Sequence, residues 1–417
     1  MSHLHRLATA GAVLLGAALA ACGGGSGSSP AAPPSPSAPV NGAPSPAPSP
    51  SPSPAPAPAP APAPSPAPAP GSGPTLGGCN VFPASAVFNT RIDDTTRFPA
   101  HAQSGAWLAS IGTTRKLHAD WGSNADPLNY ASYYGIPFNL VDGTAATTTW
   151  PTVDYNPTDP HAGFGAGAPD ESDCAEASGS GFAIRQGCNA LPTASRRFPY
   201  PLDALLKAES GTCNDAQVCG DRHVLVVEQG ACRLWESYAS YKFNGQWYAY
   251  STAAWNLNSN ALRPDGWTSG DAAGLPILPL IARADEADAG VVLHALRVTF
   301  RDSVLDARHV WPARHHAGGA VAGGIPFGAL LRLRADFVIP SNWSTQARAL
   351  ATAMQRYGLY VADIGSDLYV QGEPNAKWSD ATITQLQSIA MNQFEFVDTT
   401  SITANPQFNA NSMQAGW

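Results

Sequence analysis

Twenty of the chain's 39 prolines fall between residues 30 and 74, mostly as Ala-Pro and Ser-Pro pairs. A stretch of that composition has almost no apolar surface to bury, so it cannot offset the entropy lost on ordering. It reads as an extended, semi-rigid spacer, spanning up to roughly 140 Å at ~3.1 Å per residue. Whatever folds cooperatively must lie beyond it, which leaves residues 79–417 as a single globular domain. That part holds 22 basic against 31 acidic residues, a formal charge of −9, and all 11 tryptophans. It is long enough to bury a sizeable core. Charged residues make up 13% of the chain, about half the usual quarter. With no basic face to neutralise phosphates, nucleic acid is excluded as a partner.

The N-terminus carries an address. His3, His5 and Arg6 precede an apolar run, Leu7 to Ala21, of the length of a secretory signal core. The run closes on Leu19-Ala20-Ala21-Cys22, which resembles the lipobox of bacterial lipoproteins. The resemblance implies a signal peptide at 1–21, lipidation of Cys22, and a tether over 22–78. Two or more acyl chains would anchor it stably. Gly23 after the cysteine, where Asp would retain a lipoprotein at the inner membrane, points to the outer membrane, facing the periplasm or cell surface. No charged side chain stands between Arg6 and Arg91, so the stalk is neutral.

Without Cys22, six of the seven cysteines remain: Cys79, Cys174, Cys188, Cys213, Cys219 and Cys232. An even number in an exported chain reads as disulfides. Proximity in sequence favours Cys174–Cys188 and Cys213–Cys219, which leaves Cys79–Cys232 to tie the domain's start to its middle. The chain has no Cys-x-x-Cys pair, which argues against a zinc ribbon or a thioredoxin-type redox site.

Periodicity predicts a β-rich fold, a β-sandwich or distorted β-barrel core with a few peripheral helices and long loops. Strands are expected at His223–Glu228, Leu234–Tyr241, Gln246–Thr252, Val292–Phe300 and Leu331–Ile339. Asn244-Gly245 is a hairpin signal. Gly365-Ser366-Asp367 marks a turn between Leu359–Ala362 and Leu368–Gln371. Helices are expected at Ser104–Ile111, from Ser344 to Tyr357 with Gly358 as the stop, and at Asp380–Met391 behind a Ser379 cap. Residues 128–199, rich in Gly, Pro, Asp and Thr, read as surface loops stapled by a disulfide.

Several stretches, among them Leu117-His-Ala-Asp-Trp-Gly, Asp221-Arg-His-Val-Leu-Val-Val, Cys232-Arg-Leu-Trp-Glu, Trp311-Pro-Ala-Arg-His and Arg356-Tyr-Gly-Leu, resemble a group of secreted bacterial proteins without an assigned activity. The resemblance covers most of 79–400 and implies one exported domain, with no substrate attached.

The chemistry therefore has to be read from the residues. No Gly-x-Ser-x-Gly, His-Glu-x-x-His or strand-borne Gly-x-Gly-x-x-Gly occurs, which argues against an α/β-hydrolase, a zincin or a nucleotide enzyme. Glycoside hydrolysis needs two carboxylates across a cleft, one with a raised pKa. Glu236, mid-strand beside Trp235, is the candidate acid; Asp120 and Asp271 are candidates for the second carboxylate. His294 and His315 are auxiliary groups, or bases for an elimination. His294, His309 and His315 lack the tight spacing of a metal set, and neither a metal nor another cofactor is implied. Trp121, Trp255 and Trp267, beside Gly, Asn and Asp, are candidate sugar platforms, with Arg297 and Arg314 as further substrate-binding groups. The resulting expectation is a surface-tethered, extracellular carbohydrate-active enzyme, a polysaccharide hydrolase or lyase. The alternative is a non-catalytic glycan-binding or adhesive surface lipoprotein.

Overall fold

The computed structural model describes residues 73–417. The expected signal peptide, Cys22 and the spacer up to residue 72 lie outside the described residues. The folded part starts before Cys79, because Thr75–Leu76 pairs antiparallel with Cys79–Asn80.

The fold is strand-rich with a few short helices. Ten strands make its two principal sheets: β1 (His118–Asp120), β2 (Phe138–Asp142), β3 (Val224–Gln229), β4 (Arg233–Tyr238), β5 (Ser251–Asn256), β6 (Leu296–Phe300), β7 (Leu330–Leu333), β8 (Leu359–Ile364), β9 (Tyr369–Gln371) and β10 (Phe394–Phe396). One sheet runs β5-β4-β3-β2 and the other β10-β7-β8-β6-β9-β1. Both are mixed: β2 lies parallel to β3, and β8 parallel to β6. Both are open at their edges, so among the described residues no barrel closes.

β3 shows why the sheets stack. Its run Val224-Leu-Val-Val is buried throughout, and successive side chains leave opposite faces. Leu225 and Val227 enter the main core with Leu234, Ala253 and Trp255, alongside Leu296, Val298 and Phe300 of the other sheet. Val224, Val226 and Trp235 enter a second core around Tyr155, Phe198, Tyr200 and Trp247. A sheet apolar on both sides needs cover on both.

Local signals hold where they are self-contained. Asn244 and Gly245 turn at φ +50° and +84° between Tyr241–Phe243 and Gln246–Tyr248, an antiparallel hairpin. Ser104–Ile111 (α1) ends at Gly112. A short helix, Ala284–Asp288 (α2), precedes Thr345–Arg356 (α3). The Ser344 hydroxyl accepts the Ala347 N–H at the start of α3, and Gly358 follows it at φ +78°.

Other expectations are displaced by pairing partners. The last long helix stops at Leu386, because the Ile389 carbonyl accepts the Leu117 N–H and the Met391 N–H donates to Arg115. The strand expected to reach Ile339 ends at Leu333, where Arg334 to Phe337 forms a turn. The chains flanking Gly365 are not hairpin partners, since β6 lies between β8 and β9. Residues 128–199 are not all loop: they supply β2 and a hairpin, Asp173–Ser178 with Gly181–Gln186. All three disulfides join as expected: Cys79–Cys232, Cys174–Cys188 and Cys213–Cys219.

Candidate acid–base site

A cavity of about 470 Å³ opens where the segment Thr268–Ala272 meets β4 and the end of β8. Asp221, Asp271, Asp363 and Glu171 line it, with His315 and three aromatic rings, Phe164, Tyr238 and Tyr250. Tyr238 and Tyr250 meet edge to face with centroids 5.7 Å apart, and Phe164 leans on Tyr238 at 6.3 Å. Phe164 is 43% exposed, so the aromatic wall has a wet rim.

The floor is built by Arg297 of β6, which is fully buried. Its Nη2 lies 3.2 Å from Asp271 Oδ2 and 3.4 Å from Asp363 Oδ2. Two carboxylates on one nitrogen are less than about 7 Å apart. Their exposures differ: the Asp271 side chain shows no surface, whereas a quarter of Asp363 (25%) faces outward. Asp271 is pinned further, since its Oδ1 accepts the Leu275 N–H at 3.0 Å and the Ser269 hydroxyl at 3.3 Å. Burial pushes both acids up against the pull of Arg297, because one guanidinium cannot neutralise two desolvated carboxylates. Arg297 Nε and Nη1 have no protein partner.

Behind this pair lies a second buried layer. His223 Nδ1 is 2.6 Å from Glu209, and its Nε2 is 2.7 Å from the Gly270 carbonyl. Both partners are acceptors, so both ring nitrogens carry protons and the ring is an imidazolium. Burial alone would lower its pKa, but the Glu209 carboxylate raises it to about 9. The Gly270 contact ties this charge to the segment that carries Asp271.

Glu236 does not reach the cavity. On β4 it shares the Leu234 face and points into the core. Its carboxylate accepts the N–H groups of Ile277 and Leu278 at 2.8–2.9 Å. Burial in the main core, on the face opposite Trp235, pushes it up to about 7, and it is sealed. Its work is to hold the turn that follows the Asp271 segment.

Of the other sequence candidates, Asp271 and His315 line the cavity and Arg297 supports it. The His315 Nδ1 bonds the Ala272 carbonyl at 2.9 Å. Asp120 sits on β1, outside the cavity lining, desolvated and near Tyr134. His294 is not on a strand but in the segment before β6. It is buried between Glu286 (2.9 Å) and the Ala295 carbonyl (2.7 Å), an inaccessible structural pair. Burial pushes Glu286 up, but Arg283 and His294 pull it down to about 2.

Two of the tryptophan platforms, Trp121 and Trp255, are corrected because both are buried, whereas Trp267 is half-buried. Trp121 is buried against Trp378. Trp255 and Trp267 bracket the Arg263 guanidinium at 5.7 and 5.6 Å, and Arg263 is locked to buried Asp173 at 2.6 Å. Arg314 donates to the Arg263 and Ala410 carbonyls and serves the fold. Among the described residues no His, Cys, Asp and Glu group is arranged to hold a metal.

Asp363, Asp221, Tyr238 and His223 were not singled out as site residues from sequence. Asp363 had one available signal, an acid closing the buried run Leu359-Tyr-Val-Ala. Compared with known proteins, the chain matches no family model, no curated protein and no solved structure.

Proposed function

We propose that the protein is an envelope-tethered, extracellular carbohydrate-active enzyme that works by acid–base chemistry in the Asp363 cavity. The observation that carries this reading is the carboxylate pair on Arg297, one member open to the cavity and both pushed upward, under an aromatic wall. A carboxyl group that burial holds above its ordinary range is the better proton donor for a glycosidic oxygen. Asp363 is the group that a substrate meets and takes the acid role. Asp221, exposed in the same cavity and accepting the Tyr238 hydroxyl at 3.2 Å, is the second carboxylate. Asp271 is a positioning residue, since it acts through Arg297. The ring faces of Tyr238, Tyr250 and Phe164 suit stacking on sugars.

The full-length chain, purified in detergent, would be incubated with neutral and acidic polysaccharides. Products would be read as new reducing ends and as the absorbance of unsaturated uronates. Reducing ends without that absorbance are expected. Asp363→Asn should lower turnover at least ~100-fold, assayed well below the variant's own thermal midpoint because Asp363 also contacts the buried Arg297. Neither product nor retention on any polymer would overturn the reading. Retention without product would instead favour a glycan-binding module.

The tether belongs to the same proposal: a lipid on Cys22 and a stalk that holds the domain off the outer membrane. Cys22→Ser should move the protein from the membrane to the soluble fraction. An unchanged membrane fraction would refute the anchor. Among the described residues no helix is long and apolar enough to cross a membrane.

A further inference from the structure

The charge of the cavity narrows its substrate. Four carboxylates line it, Glu171, Asp221, Asp271 and Asp363, and no Lys or Arg does. The cations behind the lining are already engaged: Arg297 Nη2 lies between two of those acids, Arg263 is paired with Asp173, and the His223 imidazolium is bonded to Glu209 and the Gly270 carbonyl. Three of the acids present surface, Asp221 as an exposed residue, Glu171 as a half-buried one and Asp363 by a quarter of its side chain. Beside them stand the faces of Tyr238, Tyr250 and Phe164.

Carboxylates accept hydrogen bonds and cannot donate them when ionised. An anionic sugar would meet like charge in a partly desolvated pocket, where repulsion is weakly screened. A neutral sugar would leave the Asp221 carboxylate without a counter-charge. An ammonium group supplies three donors and a positive charge, and aromatic faces attract cations as well. We propose that the cavity takes a glycan unit that bears a free primary amine, with the ammonium seated against the exposed Asp221 carboxylate and the tyrosine wall. This rests on the carbohydrate reading above and assigns that site its substrate class.

The test uses the full-length protein in detergent and three probes of equal length: a glucosamine oligomer, its fully N-acetylated form, and a uronate oligomer. Binding would be measured by calorimetry at low and at high salt. The amine-bearing oligomer is expected to bind at least about tenfold more tightly than either other probe. Its advantage should shrink at high salt and disappear in Asp221→Asn. Equal or tighter binding of the N-acetylated or uronate oligomer overturns the amine assignment and leaves the carbohydrate reading standing. If no oligomer binds and the polysaccharide assay also shows neither product nor retention, both fail together. The comparison among probes is made on the unaltered protein, so the outcome does not depend on how the variant folds.

Discussion

Asp363 and His223 show how single residues acquire chemistry from their surroundings. Each is an ordinary titratable group in sequence, and each is displaced from its usual range by what packs on it. For His223 the consequence is a stability that depends on pH. Its folded pKa of about 9 lies above its ordinary value of 6.5, so the folded state holds the proton more tightly than the unfolded chain. The stabilisation is fully present below pH 6.5 and is lost as pH rises through about 9. Thermal melts of wild type and His223→Gln should therefore differ most below pH 6.5 and converge above about 9. A gap that stays constant across that range would mean that the Glu209 pair carries no linked proton.

At the scale of the element, end signals are worth most where the chain needs nothing else. The Ser344 hydroxyl satisfies one of the donors left open at the start of α3. Ser344→Ala should cost about 1 kcal/mol, read as a shift in the denaturant midpoint with an unchanged slope. Ser344 also contacts the Thr382 hydroxyl of α4 (Asp380–Leu386) at 2.8 Å, so a larger loss would indicate coupling between the two helices. β6 illustrates the opposite case. Five consecutive buried residues, Leu296 to Phe300, include Arg297 and Thr299, and propensity alone does not explain a buried arginine in a strand. The guanidinium is tolerated because Asp271 and Asp363 reach it from a loop and from β8.

For the whole molecule, the Cys79–Cys232 bond joins the start of the fold to the turn between β3 and β4, across 153 residues. Closing so long a loop in the unfolded chain is worth up to about 5 kcal/mol in the chain-entropy account. Cys79→Ser with Cys232→Ser should lower the thermal midpoint markedly. A change of under a degree would show that the start of the fold is held by packing alone.

The covalent framework was legible in the sequence, because it depends on neighbours along the chain. The three disulfides follow from short separations plus one remaining pair. The Asn244-Gly245 turn, the Ser104–Ile111 helix and the Ser344 and Ser379 caps are local chemistry. The site was legible only in part. Asp271, Arg297 and His315 were named, but Glu236 and His294 are sealed in the core, and Trp121, Trp255 and Trp267 serve packing or the Arg263 bracket. Tertiary structure decided which acids share a guanidinium and which of them faces solvent. Those properties belong to contacts between β6, β8 and the Asp271 loop, far apart in sequence. Burial and repulsion act through distance in space, and the spacing of residues along a chain does not fix that distance until the sheets have packed.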